Sequence, residues 1–169
     1  VVHRGRLLEG VMPEAGVRLV LDWESRYKTM RLHTAGHILD HAVRVVYGRV
    51  VEMLDAYHSP STPYVVYNAR APTAGELKEI ERIANEVVSA DLSVKVVYVE
   101  IEDLERTVLY APNLSRLGEA KIYRVVIIEG VNAIPCTGTH VKRTGEVGTI
   151  VIKEAADLNG KFKLVYDVA

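Results

Sequence analysis

The stretch Arg31-Leu-His33-Thr-Ala-Gly-His37 has to be read together with Cys136-Thr-Gly-Thr-His140. Two histidines four apart on a helix lie about 40° around and about 6 Å along from one another, so both imidazoles reach one ion. A thiolate and a third imidazole, again four residues apart, complete a tetrahedral Cys/His₃ set of the kind zinc accepts. Either pair alone is weak evidence. Two pairs separated by roughly a hundred residues imply a fold that exists partly to bring them together, around one Zn²⁺ per chain.

The bland alternative treats each histidine as a satisfied core residue. It must also explain the chain's single cysteine, set before His140 in a Thr/Gly segment after Pro135. Burying several imidazoles and a thiol without partners is costly, whereas a shared ion satisfies all four. A rival chemistry makes Cys136 a nucleophile with His140 or His33 as base, but it needs an orienting group and an oxyanion pocket, and neither is identifiable. His41 continues the helical row a further 40° round, which suits a surface residue or one behind the ligands. His3 and His58 have no partner pattern and are expected at the surface. Four protein ligands usually mean a closed structural site, while catalysis needs an open position, so the role of the ion stays open at this level.

Working outward, Asp22 is a plausible N-cap, and Trp23 to Tyr47 is helical in pattern. Trp23, Tyr27, Met30, Ile38, Val45 and Val46 form the expected apolar face. Arg26, Lys28, Arg31, Asp40 and Arg44 are expected to be exposed. Residues 1–8 and 17–21 read as a two-stranded arm, so 1–22 is set apart from the main domain, 23–169. Residues 50–57 and 63–67 predict a hairpin turning at His58-Ser-Pro-Ser-Thr62. Thr73-Ala-Gly-Glu76 is a capping box opening a helix to about Ala90, its inner face drawn from Leu77, Ile80, Ile83, Ala84, Val87 and Val88. The apolar run 94–101 predicts a central strand, 102–108 a short acidic helix, 122–128 a buried strand and 130–135 a loop. Residues 147–152 and 162–168 close the chain as a hairpin. Helices interspersed with hairpins give an α+β class, with a mainly antiparallel sheet, two long helices, and the zinc site between helix and Cys-x-Gly-Thr-His loop.

Composition narrows the class further. With 169 residues, 49% hydrophobic and 25% charged, the chain suits one globular domain with a small appendage. No apolar run approaches the ~18 residues of a membrane span, so no membrane partner is expected. One cysteine excludes an internal disulfide and suits a cytoplasmic protein. The formal net charge of −1 gives no global case for nucleic-acid binding, so such contact must come from local patches.

Asp22-Trp-Glu-Ser-Arg-Tyr-Lys-Thr-Met-Arg-Leu-His-Thr-Ala-Gly-His37 resembles the start of the editing domain shared by alanyl- and threonyl-tRNA synthetases. It is most similar to the free-standing AlaX-type trans-editing proteins. Glu79 to Val87 resembles that family's second helix, and Arg124 to Ile128 its strand before the Cys-x-Gly-Thr-His motif. Cys136 to Val141 and Thr144 to Gly148 resemble that motif and its sequel, and the likeness covers about residues 17–168.

The resemblance implies hydrolysis of the ester joining a wrong amino acid to the terminal ribose of tRNA(Ala), chiefly seryl-tRNA(Ala), with glycyl-tRNA(Ala) a second substrate. It carries the zinc ligands onto His33, His37, Cys136 and His140. Thr34 and Thr139 become candidates for reading a seryl hydroxyl, and backbone N–H groups around Gly138 candidates for the carbonyl. The partner is the acceptor end of the mischarged tRNA; monomer and dimer are both compatible. Arg26, Lys28 and Arg31 before the site, and Lys142 and Arg143 after it, are the candidate phosphate contacts.

The longer family members open with a Gly-rich β-barrel module. Residues 1–22 resemble only its tail, so a short form or a chain lacking its beginning is expected. Gly36 stands where a bulkier residue is expected, which would widen the pocket. Lys163 stands where the family more often has Arg. Two alternatives keep the fold: a non-catalytic zinc-stabilised tRNA- or synthetase-binding module, and editing of seryl-tRNA(Thr).

Overall fold

Asp22 starts the longest element of the computed structural model, which describes residues 6, 8–10, 16 and 18–169. The arm expected within residues 1–22 lies largely outside the described residues. The Asp22 carboxylate accepts the N–H of Ser25 at 3.1 Å and opens α1 (Trp23–Tyr47). Gly48 closes it at φ 67°, a left-handed conformation that glycine adopts without steric cost, and returns its N–H to the Val45 carbonyl. Leu32, Ala35, Ile38, Leu39, Ala42 and Val43 are fully buried.

The expected apolar face of α1 therefore needs correction at both ends. Trp23 is 62% exposed and stacks on Tyr27, and Val45 is exposed as well, because burial is concentrated between residues 32 and 43 where α1 meets its neighbours. Asp40 is corrected in the other direction. Its carboxylate accepts the Tyr67 hydroxyl at 2.8 Å, and burial pushes its pKa up to about 7.

The hairpin pair β1 (Met53–Tyr57) and β2 (Tyr64–Tyr67) follows α1. The capping box then opens α2 (Ala74–Ser89): Thr73 Oγ1 accepts the Glu76 N–H and the Glu76 carboxylate accepts the Thr73 N–H. Ile80, Ile83, Ala84 and Val87 bury its inner face, as the periodicity predicts. Next come β3 (Val94–Glu100), α3 (Ile101–Thr107), β4 (Ile122–Ile128), β5 (Asn132–Pro135), β6 (Ile150–Asp157) and β7 (Phe162–Val168).

Two antiparallel sheets result, one in the order β1-β2-β7-β6 and one in the order β3-β4-β5. The α+β class holds, but β3 is an edge strand and not a central one. Its Val96 and Tyr98 are exposed, so its apolar run reflects β-propensity more than burial on two faces. Residues 132–135 form a fully buried strand where a loop is expected, because Val125–Ile128 offers a free ladder edge to the segment before Cys136. In β7 alternate residues Phe162, Leu164, Tyr166 and Val168 point inward, joining Val65 and Tyr67 of β2 in the core with α1 and α2. Among the described residues no helix is long and apolar enough to cross a membrane.

Asn85 joins α2 to β6 by donating to the Ile150 carbonyl at 2.8 Å and accepting the Ile150 N–H at 2.9 Å. Asn85→Ala should cost about 1–3 kcal/mol in urea unfolding, because both backbone groups lose their partner in a partly buried place. An unchanged midpoint would show that water replaces the amide without loss.

Candidate metal centre

The two ligand-bearing segments reach one point from different layers. His33 and His37 stand on the buried middle of α1. Cys136 follows β5 directly, and its N–H extends the ladder by donating to the Arg124 carbonyl at 2.9 Å. Asn113 Nδ2 holds the Pro135 carbonyl at 2.8 Å, and the Arg124 guanidinium donates to the Cys136 carbonyl. Beyond His140 the chain is fastened again. Thr144 Oγ1 donates to the Val87 carbonyl and accepts the Leu92 N–H, and Glu146 gathers the N–H groups of Lys142 and Arg143 together with the Tyr27 hydroxyl. The Cys/His loop is thereby tied to both long helices.

One ligand atom from each of His33, His37, Cys136 and His140 lies within 4.8 Å of all the others. Cys136 Sγ is 3.3 Å from His33 Nε2 and 3.4 Å from His140 Nε2, and the Gly138 N–H points at the sulfur from 3.4 Å. Thr34 fixes the tautomer of His140. Its hydroxyl proton goes to the Met30 carbonyl, so its oxygen accepts from His140 Nδ1 at 3.1 Å, leaving Nε2 as the lone pair that faces the sulfur. Asn132 holds the His37 carbonyl at 2.8 Å, while His37 Nδ1 is buried without a partner among the described residues.

Burial pushes the imidazole of His33 down to about 4 and that of His140 down to about 2, and takes His37 well below its ordinary value. The rings are neutral, as metal ligands must be. Burial raises the Cys136 thiol, with the Gly138 N–H and Arg124 pulling the other way. Three neutral imidazoles and a thiol converging at one point fit a divalent cation of intermediate softness. The group is placed to hold a metal ion.

A cavity of about 670 Å³ opens beside it, walled by His33, His58, Arg124, Cys136, Gly138 and the segment 113–123. Of the expected substrate contacts, Gly138 is in this wall: a Cβ there would fall 2.0 Å from His33 Cε1, so the backbone runs flush against the imidazole. Thr34 is fully buried behind His140, and Thr139 is exposed outside the wall. Of the expected phosphate contacts, Arg31 is spent on the Val147 and Ala169 carbonyls, Lys28 on Asp167, and Arg143 on Asp91. Arg26 and Lys142 are exposed.

Three cavity residues escape the sequence pattern: Arg116, Arg124 and His58. His58, expected at the surface, stacks on His33 with ring centroids 4.4 Å apart. The signal that could have found it is Gly36, since a Cβ there would come 2.5 Å from His58 Cε1.

The buried imidazoles set a pH dependence for the metal-free protein. His33, His37, His58 and His140 all have folded pKa values below 6.5, so between about pH 6.5 and 4 the unfolded chain binds more protons. Asp40, raised to about 7, acts with the opposite sign but is one group against four. Urea unfolding with chelator present should show stability falling as pH drops below 6.5, by about 1.4 kcal/mol per pH unit for each net proton taken up. Stability flat or rising through that window would contradict this account of the burial.

Residues 123–163 match the family described as the threonyl and alanyl tRNA synthetase second additional domain. The chain is 36% identical over 162 residues to an alanine–tRNA ligase of Pyrobaculum arsenaticum, covering 91% of this chain and 18% of that protein. An alanine–tRNA ligase of Korarchaeum cryptofilum is 36% identical over 159 residues, with 90% and 18% covered, and that of Thermotoga maritima is 30% identical over 155 residues, with the same shares. The chain thus spans less than a fifth of the length of the curated relatives it matches. The chain is thus similar, over most of its length, to one segment of the alanine–tRNA ligases, and Cys136 and His140 of its metal-binding group lie within the stretch that matches the threonyl and alanyl tRNA synthetase second additional domain.

Proposed function

We propose that the chain is a zinc-dependent aminoacyl-tRNA deacylase that acts in trans on mischarged tRNA(Ala), chiefly seryl-tRNA(Ala), with glycyl-tRNA(Ala) as a second substrate. One observation carries the reading: His33, Cys136 and Gly138 belong both to the ligand cluster or its loop and to the wall of an open cavity. A metal centre that only braces a fold is closed on all sides, whereas this one has a face toward a space large enough for an aminoacyl group and part of a nucleoside.

Bound at His33, His37, Cys136 and His140, zinc supplies a fixed positive charge and Lewis acidity at that wall. An aminoacyl ester is already labile, so the remaining task of the chain is to position it and its attacking water. Gly138 does this by having no side chain. Its N–H is directed at Cys136 Sγ, so its part here is that of a smooth wall. The Arg124 guanidinium, braced on the Cys136 carbonyl, brings a positive charge into the cavity, and Arg116, 3.8 Å from Asp55, also lines it. Both suit the phosphates of a tRNA acceptor end.

Deacylation of seryl-tRNA(Ala) tests the reading. Turnover is expected, abolished by chelation and restored by Zn²⁺, and alanine at any of the four ligand positions should reduce kcat/KM at least 100-fold. Binding of tRNA without turnover would establish a non-catalytic module instead, and faster deacylation of seryl-tRNA(Thr) would reassign the substrate. The charges make a separate prediction. The rate under kcat/KM conditions should fall with added salt, and Arg116→Ala or Lys142→Ala should flatten that slope. Salt-independent turnover would count against both as phosphate contacts.

A further inference from the structure

The β1–β2 turn delivers a side chain to the cavity that the metal group does not need. His58 lies with one ring face on His33, 4.4 Å between centroids, and its Nδ1 is 2.7 Å from the Tyr166 hydroxyl oxygen. Tyr166 gives its one proton to the Leu32 carbonyl at 2.9 Å. Its oxygen therefore accepts, and His58 Nδ1 carries the proton that it donates. In the singly protonated ring this leaves Nε2 with the lone pair.

The Cε1 edge of the same ring occupies the space left by Gly36, where a Cβ would stand 2.5 Å from Cε1, 3.1 Å from Nδ1 and 3.3 Å from the Tyr166 hydroxyl. Ring position and tautomer are thus both set by the helix, and among the described residues Nε2 has no protein partner. His58 is outside the ligand cluster, yet it forms part of the cavity wall with His33, Cys136 and Gly138.

We propose that His58, seated against Gly36 and held by Tyr166, presents Nε2 to the cavity as the hydrogen-bond acceptor for the side-chain hydroxyl of the bound aminoacyl group. It is thereby a residue that selects seryl over glycyl and alanyl esters. The inference rests on the deacylase reading of the same site. An aminoacyl group carries two kinds of donor, its amino group and, in serine, its hydroxyl. The Arg124 guanidinium lines the same cavity, and a second cation there is less favourable than the neutral hydroxyl, which is the fitting donor. A site with a preset acceptor also discriminates against ligands that lack the donor, because the acceptor is then left unpaired.

The test uses zinc-loaded protein and non-hydrolysable adenosine analogues carrying seryl, alanyl or glycyl groups in amide linkage at the 3′ position. Calorimetry should give the seryl analogue at least a tenfold advantage over the alanyl one. In His58→Leu that ratio should collapse toward one, and His58→Gln should restore part of it. Gly36→Ala favours the helix and pushes the ring aside, so it should reproduce the His58→Leu ratio.

Nitrogen-15 spectra of the histidines should show His58 protonated at Nδ1, with the Nε2 resonance moving on addition of the seryl analogue and not of the alanyl one. A ratio unchanged by His58→Leu, or a His58 protonated at Nε2, would overturn the proposal. The deacylation assay is a separate matter. If seryl-tRNA(Ala) is not turned over while the analogues are still discriminated through His58, the enzyme reading fails and the recognition site stands.

Discussion

Four side chains that each prefer water or a partner are buried at one point, and the rest of the molecule is arranged to tolerate that. His33 and His37 come from the buried middle of α1, Cys136 and His140 from the end of β5 and the loop beyond it. Left as neutral groups facing one another, they give the sulfur only weak partners. A shared cation would bind the lone pairs that converge there. Holding the two segments close demands that nothing intervene, which is why the chain has glycine at 138 against His33 and why Thr34 lies buried as the support of His140.

That arrangement also decides where charge is free to act. Most basic side chains that flank the ligand motifs in sequence are consumed by the fold. Arg31 and Lys28 hold the end of β7, and Arg143 closes the loop onto Asp91. The cations that line the cavity come from elsewhere, Arg124 from β4 and Arg116, itself 3.8 Å from Asp55, from the turn before it. Proximity in sequence to a metal ligand is thus a poor guide to proximity to its open face, because the residues next to a ligand are the ones recruited to anchor it.

How much could be read beforehand follows from the range of the interactions involved. Local rules placed α1 and its Asp22 cap, the capping box of α2, the β1–β2 hairpin and β7, since each is written in consecutive residues, whereas β6 runs Ile150–Asp157 and not 147–152 as expected. The ligand set was legible because both halves repeat one spacing and the chain has one cysteine. Edge against centre was not: β3 and β4 are both largely apolar, and their exposure depends on which one has a neighbour on each side. Strand β5 was hidden because four residues after a turn pair only once β4 is in place. His58 and Asp40 were misplaced for the same reason, being polar groups drawn inward by tyrosines more than 25 positions away, Tyr166 and Tyr67.

The claim on which everything else stands is that the two remote pairs share one ion. X-ray absorption at the zinc K-edge of protein loaded with one equivalent of Zn²⁺ measures it directly. The account predicts one sulfur scatterer at about 2.3 Å and three imidazole nitrogens at about 2.0–2.1 Å, the sulfur being lost in Cys136→Ser. A first shell of nitrogen and oxygen without sulfur, or one unchanged by that substitution, would contradict it.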